Sequence, residues 1–268
     1  MQVVVPVKSF KNAKKRLASV LTAGQRSDLM KHMLDDVLRA IAAVTELEAI
    51  TVVTSDAEVA QWVDSCAQGI KTPLRVFDPG PHPVGANYLA KKVSPAPIKN
   101  LAEAGLCHAY RTAASELIGK GASTMLLLPA DIPLITKADI RALLAEHTRP
   151  GVTLATAGSD GGTNALLVSP PDIIAPAFGE NSCQRHSAHA REQGCQPRLL
   201  NNFGFSLDID TVDDIRALLA SDRECATLRY LRESGIAGEL EKSERGGHLP
   251  STKIQQSGLQ NQINRHLG

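Results

Sequence analysis

The chain has 268 residues, 43 % of them hydrophobic, and a formal net charge of +1. That length can bury a substantial core, read as one domain with two small domains as the alternative, and the near-neutral balance argues against a general nucleic-acid binder, whose charge is basic overall. No run of roughly eighteen or more apolar residues occurs and no secretory start is visible, so no membrane partner is expected and the cytoplasm is the expected compartment.

In chain order the pattern alternates strand-like and helix-like segments. Residues 2–7 read as a strand, followed by the basic loop "KSFKNAKKR". Residues 24–43 carry amphipathic periodicity through Leu29, Met33, Val37 and Ile41. A strand at 49–54 precedes a helix capped near Ser55 or Asp56. "LRVF" (74–77) is a third strand, and "MLLLPAD" (125–131) a fourth whose unbroken apolar run expects burial on both faces. Further strands are expected at 152–156, 165–169 and 197–200. This alternation predicts an α/β fold with a mostly parallel, doubly wound sheet. The segment 78–98, rich in proline (Pro79, Pro81, Pro83, Pro95, Pro97), reads as a long loop or flap. Residues 1–240 form the expected domain, and 241–268 a flexible polar tail or appended helix.

In an open parallel sheet, ligands bind beyond the carboxyl ends of the strands, so the residues delivered there decide the chemistry. The first strand delivers Lys8, Lys14 and Arg16, a set of cations suited to a triphosphate or to a solvated basic helix face. No phosphate-binding G-x-x-x-x-G-K-[ST] loop is present. Asp131 follows the fourth strand, where it suits a metal or a turn cap. In "LDIDTVDDI", Asp208 and Asp210 point to one side of extended chain, and two such carboxylates repel unless a cation lies between them. Together the three make a hard oxygen site of the kind Mg²⁺ accepts when it also bridges phosphates. Asp210 or Thr211 also suits the N-cap of a helix from Val212. Thr163 and Asn164 leave a Gly161-Gly162 turn into a strand. Ser182 reads as the N-cap of a helix whose first turn carries Arg185 and His186, both expected to add positive charge, a site for a second anion or simply a cap. The five cysteines contain no C-x-x-C pair and read as free thiols. Cys183, His186, His189 and Cys195 have residue types that suit zinc, but their spacing matches no common finger.

Five motifs stand in an order that resembles the 2-phospho-L-lactate guanylyltransferase family of coenzyme F-420 biosynthesis: "VVPVKSFKNAKKRLA", "LLLPADIPLIT", "GGTNALLVSP", "FGENSCQRHSAHA" and "LDIDTVDDIRAL". The resemblance runs from residue 2 to about 238. It implies a Rossmann-like nucleotidyltransferase fold and a guanylyltransferase that joins GMP from GTP to a phospho-carboxylic acid, releasing pyrophosphate. The acid would be 2-phospho-L-lactate, phosphoenolpyruvate or 3-phospho-D-glycerate. By the same resemblance Lys8, Lys14 and Arg16 grip the triphosphate, and Asp131, Asp208 and Asp210 hold Mg²⁺. Thr163 or Asn164, Gly179 and Ser182 would hold the acid. A homodimer and hand-over of a labile product to a downstream transferase are further expectations. The chain departs from the family at "KNLAEA", with Lys99 where a glycine is usual, and in its longer 78–98 segment. Rival readings are a molybdopterin guanylyl- or cytidylyltransferase, which would carry a glycine-rich loop after strand one, a glycosyltransferase with an earlier D-x-D pair, and a non-catalytic phosphometabolite sensor.

Overall fold

A computed structural model describes residues 1–81, 101–158 and 161–245. Seven strands form one sheet: β1 (Gln2–Pro6), β2 (Ala49–Val53), β3 (Leu74–Phe77), β4 (Met125–Leu127), β5 (Gly151–Thr156), β6 (Thr163–Ser169) and β7 (Arg198–Leu200), in the order β3-β2-β1-β4-β6-β5-β7. Only β6 runs against the rest, pairing antiparallel with both β4 and β5. The α/β, mostly parallel, single-domain expectation holds, and every expected strand is present.

Alternate residues of the inner strands feed two cores, as period-two geometry requires. Val3, Val5, Ile50, Val52, Leu126 and Leu167 face one side. There they meet α1 (Ala23–Ala42), α2 (Ala57–Cys66), α4 (Lys137–Ala145), α7 (Val212–Leu219), α8 (Ala226–Glu233) and the start of α9 (Ile236–Arg245). Val4, Val53, Met125, Leu127, Leu154 and Leu166 face the other, against α3 (Leu101–Gly119) and α5 (Ser182–Glu192). Chain order moves outward from β1 to β3 on one face and returns on the other through α3 to β4. The direction of crossover therefore reverses between β1 and β4, which opens a crevice at their carboxyl ends.

Helix starts follow local chemistry. Thr22 with Gln25 and Thr211 with Asp214 form capping boxes, and Asp56 accepts from the Glu58 and Val59 amides. Cys225 stands at the N-cap of α8. The same helix start also receives a carboxylate from α1: Asp36 accepts from the Ala226 and Thr227 amides at 2.7 and 2.9 Å. A short helix, α6 (Phe203–Ser206), was not expected from the sequence.

Two expectations are corrected. The fourth strand ends at Leu127 rather than Asp131, because Pro129 has no amide to donate to the ladder. Leu128 still donates to the Val4 carbonyl at 3.0 Å, and the chain then turns away. Ser182 is the first residue of α5 and not its cap; Asn181, in a left-handed conformation with φ 55°, takes the cap position. Helix α9 continues to Arg245, five residues into the expected tail. The proline-rich segment beyond residue 81 and the tail beyond 245 lie outside the described residues. Among the described residues no helix is long and apolar enough to cross a membrane.

Candidate active site

The carboxyl edge of the sheet gathers residues from remote parts of the chain. Lys8 follows β1 and Asp131 follows β4. Because β6 is antiparallel, its first residues, Thr163 and Asn164, also lie at this edge. The Ile209 amide donates to the Asp131 carbonyl at 3.1 Å, which brings Asp208 and Asp210 alongside. The Cys183 amide donates to the Gly161 carbonyl at 3.1 Å and docks the start of α5 there. Gly161 has φ +67°, and a Cβ on it would stand 3.1 Å from the Asn181 side chain, so the turn needs glycine twice over.

The basic loop does not act as one face. Lys14 adopts a left-handed backbone (φ 50°, ψ 46°), costing a non-glycine residue about 1–2 kcal/mol. That turn sends its side chain inward, only 6 % exposed, where Nζ donates to Asp131 Oδ2 at 2.6 Å and Asp210 Oδ1 at 2.8 Å. Arg16 stays at the surface, 3.6 Å from Asp210 Oδ2. Lys8 crosses Gly105 of α3, its Nζ 4.0 Å from the point a Cβ would occupy, and burial lowers its pKa. Lys11 reaches instead to Glu58 at 3.9 Å.

The carboxylates divide by partner. Burial disfavours charge on Asp210, but Lys14 and then Arg16 outweigh it and hold the carboxyl below its ordinary range. Burial likewise opposes charge on Lys14, and Asp131 and Asp210 outweigh it to hold the ammonium above its ordinary range. Among the described residues no cation pairs with Asp208. Burial first, then the charge of Asp131, push its carboxyl up, while Asn164 Nδ2 donates to it at 3.2 Å. Asn164 is itself buried and also donates to the Phe205 carbonyl at 2.8 Å, so it fixes Asp208 rather than facing the crevice.

Among the described residues no three His, Cys, Asp or Glu side chains converge closely enough to hold an ion. The donor chemistry nonetheless fits Mg²⁺, which takes one or two carboxylates and completes its shell with phosphate oxygens and water. An excess of negative charge on Asp208 and Asp131 is what such a cation would relieve. A histidine of the zinc-like cluster is engaged elsewhere: His189 Nδ1 pairs with the Ala175 carbonyl at 2.8 Å, and none of the five cysteines forms a disulfide.

The second pocket edge is built on Thr163. Ser182 Oγ donates to Thr163 Oγ1 at 3.0 Å, which is why it does not cap α5. His186 is fully buried and pairs with Thr163 Oγ1 through Nδ1 at 3.0 Å. Burial foremost, then His189 and Arg185, push its imidazole down to about 3. The expectation that His186 adds positive charge is therefore corrected: it is neutral. Arg185 donates to the Phe178 and Glu180 carbonyls at 2.8 and 2.9 Å, fastening the loop that contains Gly179 (φ 104°).

One supporting pair was not foreseen. Asp139, 4 % exposed, accepts from Arg223 at 2.6 Å, and a Cβ at Gly204 would overlap its carboxylate. The pair is thus the floor on which α6 stands, and α6 leads directly into Asp208. The T-x-x-D spacing of Thr136 and Asp139 was the readable signal, since it predicts a capping box and the structure forms one.

Residues 1–72 and 97–250 match the family described as Guanylyl transferase CofC like; the gap holds β3 and most of the proline-rich segment. The chain is 35 % identical over 215 residues to the phosphoenolpyruvate guanylyltransferase of Sphaerobacter thermophilus, covering 80 % of this chain and 90 % of that one. It is 28 % identical over 230 residues to the 2-phospho-L-lactate guanylyltransferase of Methanothermobacter thermautotrophicus, covering 86 % and 89 %. A Desulfovibrio desulfuricans G20 structure described as a nucleotide-diphospho-sugar transferase shares the fold at TM-score 0.66 and 17 % identity, over 90 % of this chain and 96 % of that one. With its fold, crevice and matched residues taken together, the chain is a nucleotidyltransferase enzyme and belongs to the Guanylyl transferase CofC like family.

Proposed function

We propose that the chain transfers GMP from GTP to the phosphate of a small phospho-carboxylic acid, with release of pyrophosphate, as a step of coenzyme F-420 biosynthesis. The acid is 2-phospho-L-lactate, phosphoenolpyruvate or 3-phospho-D-glycerate. Phosphoenolpyruvate is the first to test, since the phosphoenolpyruvate enzyme above matches at higher identity than the 2-phospho-L-lactate enzyme. The observation that carries the reading is the meeting of Lys14 with Asp131 and Asp210, and of Asp208 beside them, at the β1/β4 crevice of a member of this family.

In this reading Mg²⁺ would be held by one or two carboxylates drawn from Asp131, Asp208 and Asp210, and when bound would supply charge neutralisation at the reacting phosphates. Lys8 and Arg16 meet the triphosphate from the β1 side, and Lys14 exchanges a carboxylate for a phosphate oxygen. Thr163, at the start of β6, with Gly179 and Ser182 at the start of α5, receives the acid's phosphate. Its oxygen attacks the α-phosphorus and pyrophosphate leaves in line. The nucleophile arrives already ionised, so the protein supplies position and charge, and no side chain need attack. The phosphoanhydride product is labile, which favours direct hand-over to a downstream transferase in the cytoplasm; a homodimer completes the proposal.

Pyrophosphate release tests it, with GTP and Mg²⁺ against each acid in turn and ATP and CTP as controls. Release with GTP and one acid is expected. GTP binding without release for any acid would overturn the reading and favour a sensor.

A further inference from the structure

We propose that His186 is a positioning residue that fixes Thr163 as a hydrogen-bond donor toward the acceptor acid; this rests on the acid site proposed above. The Ala177 amide donates to His186 Nε2 at 2.9 Å. A backbone N–H needs a lone pair, so Nε2 carries no proton and the neutral ring carries its hydrogen on Nδ1. Nδ1–H therefore donates to Thr163 Oγ1 at 3.0 Å. The Ser182 hydroxyl donates to the same oxygen, also at 3.0 Å.

Both lone pairs of Thr163 Oγ1 are then filled, and its own proton must be given away. Among the described residues none accepts it. Thr163 is half-buried at the mouth of the crevice, where a ligand oxygen is the natural acceptor. The ring cannot invert this polarity. It is 0 % exposed and packs edge-on against Phe178 with centroids 5.0 Å apart, and a proton on Nε2 would oppose the Ala177 amide. A site that only donates suits groups that only accept, such as an ionised phosphate, and rejects a ligand hydroxyl or amine that needs an acceptor there.

Thr163→Val should raise the acid's KM about ten- to hundredfold and leave that of GTP in place, while Thr163→Ser stays within about threefold. His186→Leu should reproduce Thr163→Val. His186→Asn, whose amide N–H stands where Nδ1–H was, should restore most of the loss. The double variant His186→Leu/Thr163→Val should be no worse than either single change. Additive losses, or an unchanged acid KM in Thr163→Val, would overturn the proposal.

Nitrogen NMR of the unmodified protein reads the tautomer without any variant or turnover. The expected result is Nδ1–H on His186 from about pH 8 to about pH 5. Nε2–H or an imidazolium at about pH 7 overturns the positioning role even in a fully active enzyme. Absent guanylyl transfer alongside the expected tautomer and Thr163-dependent acid binding would instead overturn only the reaction proposed above.

Discussion

The two ends of the sheet treat buried polarity in opposite ways. At the amino end, His147 pairs through Nδ1 with Thr153 at 3.0 Å and through Nε2 with Ser169 at 2.8 Å, and Ser169 pairs with Thr124 at 2.8 Å. The set is closed and neutral: burial, then the charge of Arg149, push His147 down to about 4. At the carboxyl end Lys14, Asp131, Asp208 and Asp210 hold charge that they do not fully compensate, and Asp208 resists ionisation. Two polar clusters at opposite ends of the same sheet thus serve different purposes. A closed network stabilises the fold by satisfying its members; an open one keeps binding capacity at a cost in stability.

The largest expected effect lies at the open end. Asp208→Asn should lower turnover by about a thousandfold. Its melting temperature should stay level or rise, since the change removes repulsion with Asp131. Pyrophosphate release and thermal melts on the same preparation read both, and an active variant would remove Asp208 from the site.

Ser169→Ala should do the reverse. It strips partners from His147 and Thr124 and should cost about 1–3 kcal/mol in urea unfolding, with kcat and KM unchanged. A variant that loses activity without losing stability would break the contrast.

Acid sharpens it further. A histidine that titrates at about 4 when folded and near 6.5 when unfolded binds fewer protons in the native state between those values. His147 therefore stabilises fully above about pH 6.5, and its contribution declines as pH falls toward 4. His186, pushed down to about 3, adds in the same direction. Urea midpoints at about pH 7, 5.5 and 4.5 should decrease in that order, and a flat profile would contradict neutral histidines at both ends.

The smallest expected effect is none. A zinc-selective chelator with Mg²⁺ supplied should leave activity unchanged, because His186 and His189 are already engaged with Thr163, Ala177 and Ala175. Inactivation would restore zinc to the account.

Much of this was legible beforehand. The apolar runs at 2–6, 49–53 and 125–127 announce buried strands, and Asp131, in the turn that follows the last of them, lands at the crevice. Asp208 and Asp210 sit beside it as their spacing suggested, with Thr211 taking the capping role and leaving Asp210 to Lys14. Other features had no local trace. The reversed direction of β6 leaves the same apolar alternation as a parallel strand. Ser182 looks like a cap from its neighbours and is claimed by Thr163, nineteen positions away.

The sequence by itself determined the elements, the order in which they appear, and which residue types arrive at the carboxyl edge. Helix caps and period-two burial operate within a few residues, so they can be read along the chain. Only the tertiary structure decided what those residues are when they arrive. Lys14 is a buried counter-ion because its carboxylates come from 117 and 196 positions away. His186 is a neutral donor because packing removed water and aimed the Ala177 amide at it. Charge state and hydrogen-bond polarity depend on burial and on remote partners, and neither is a property of a neighbouring residue.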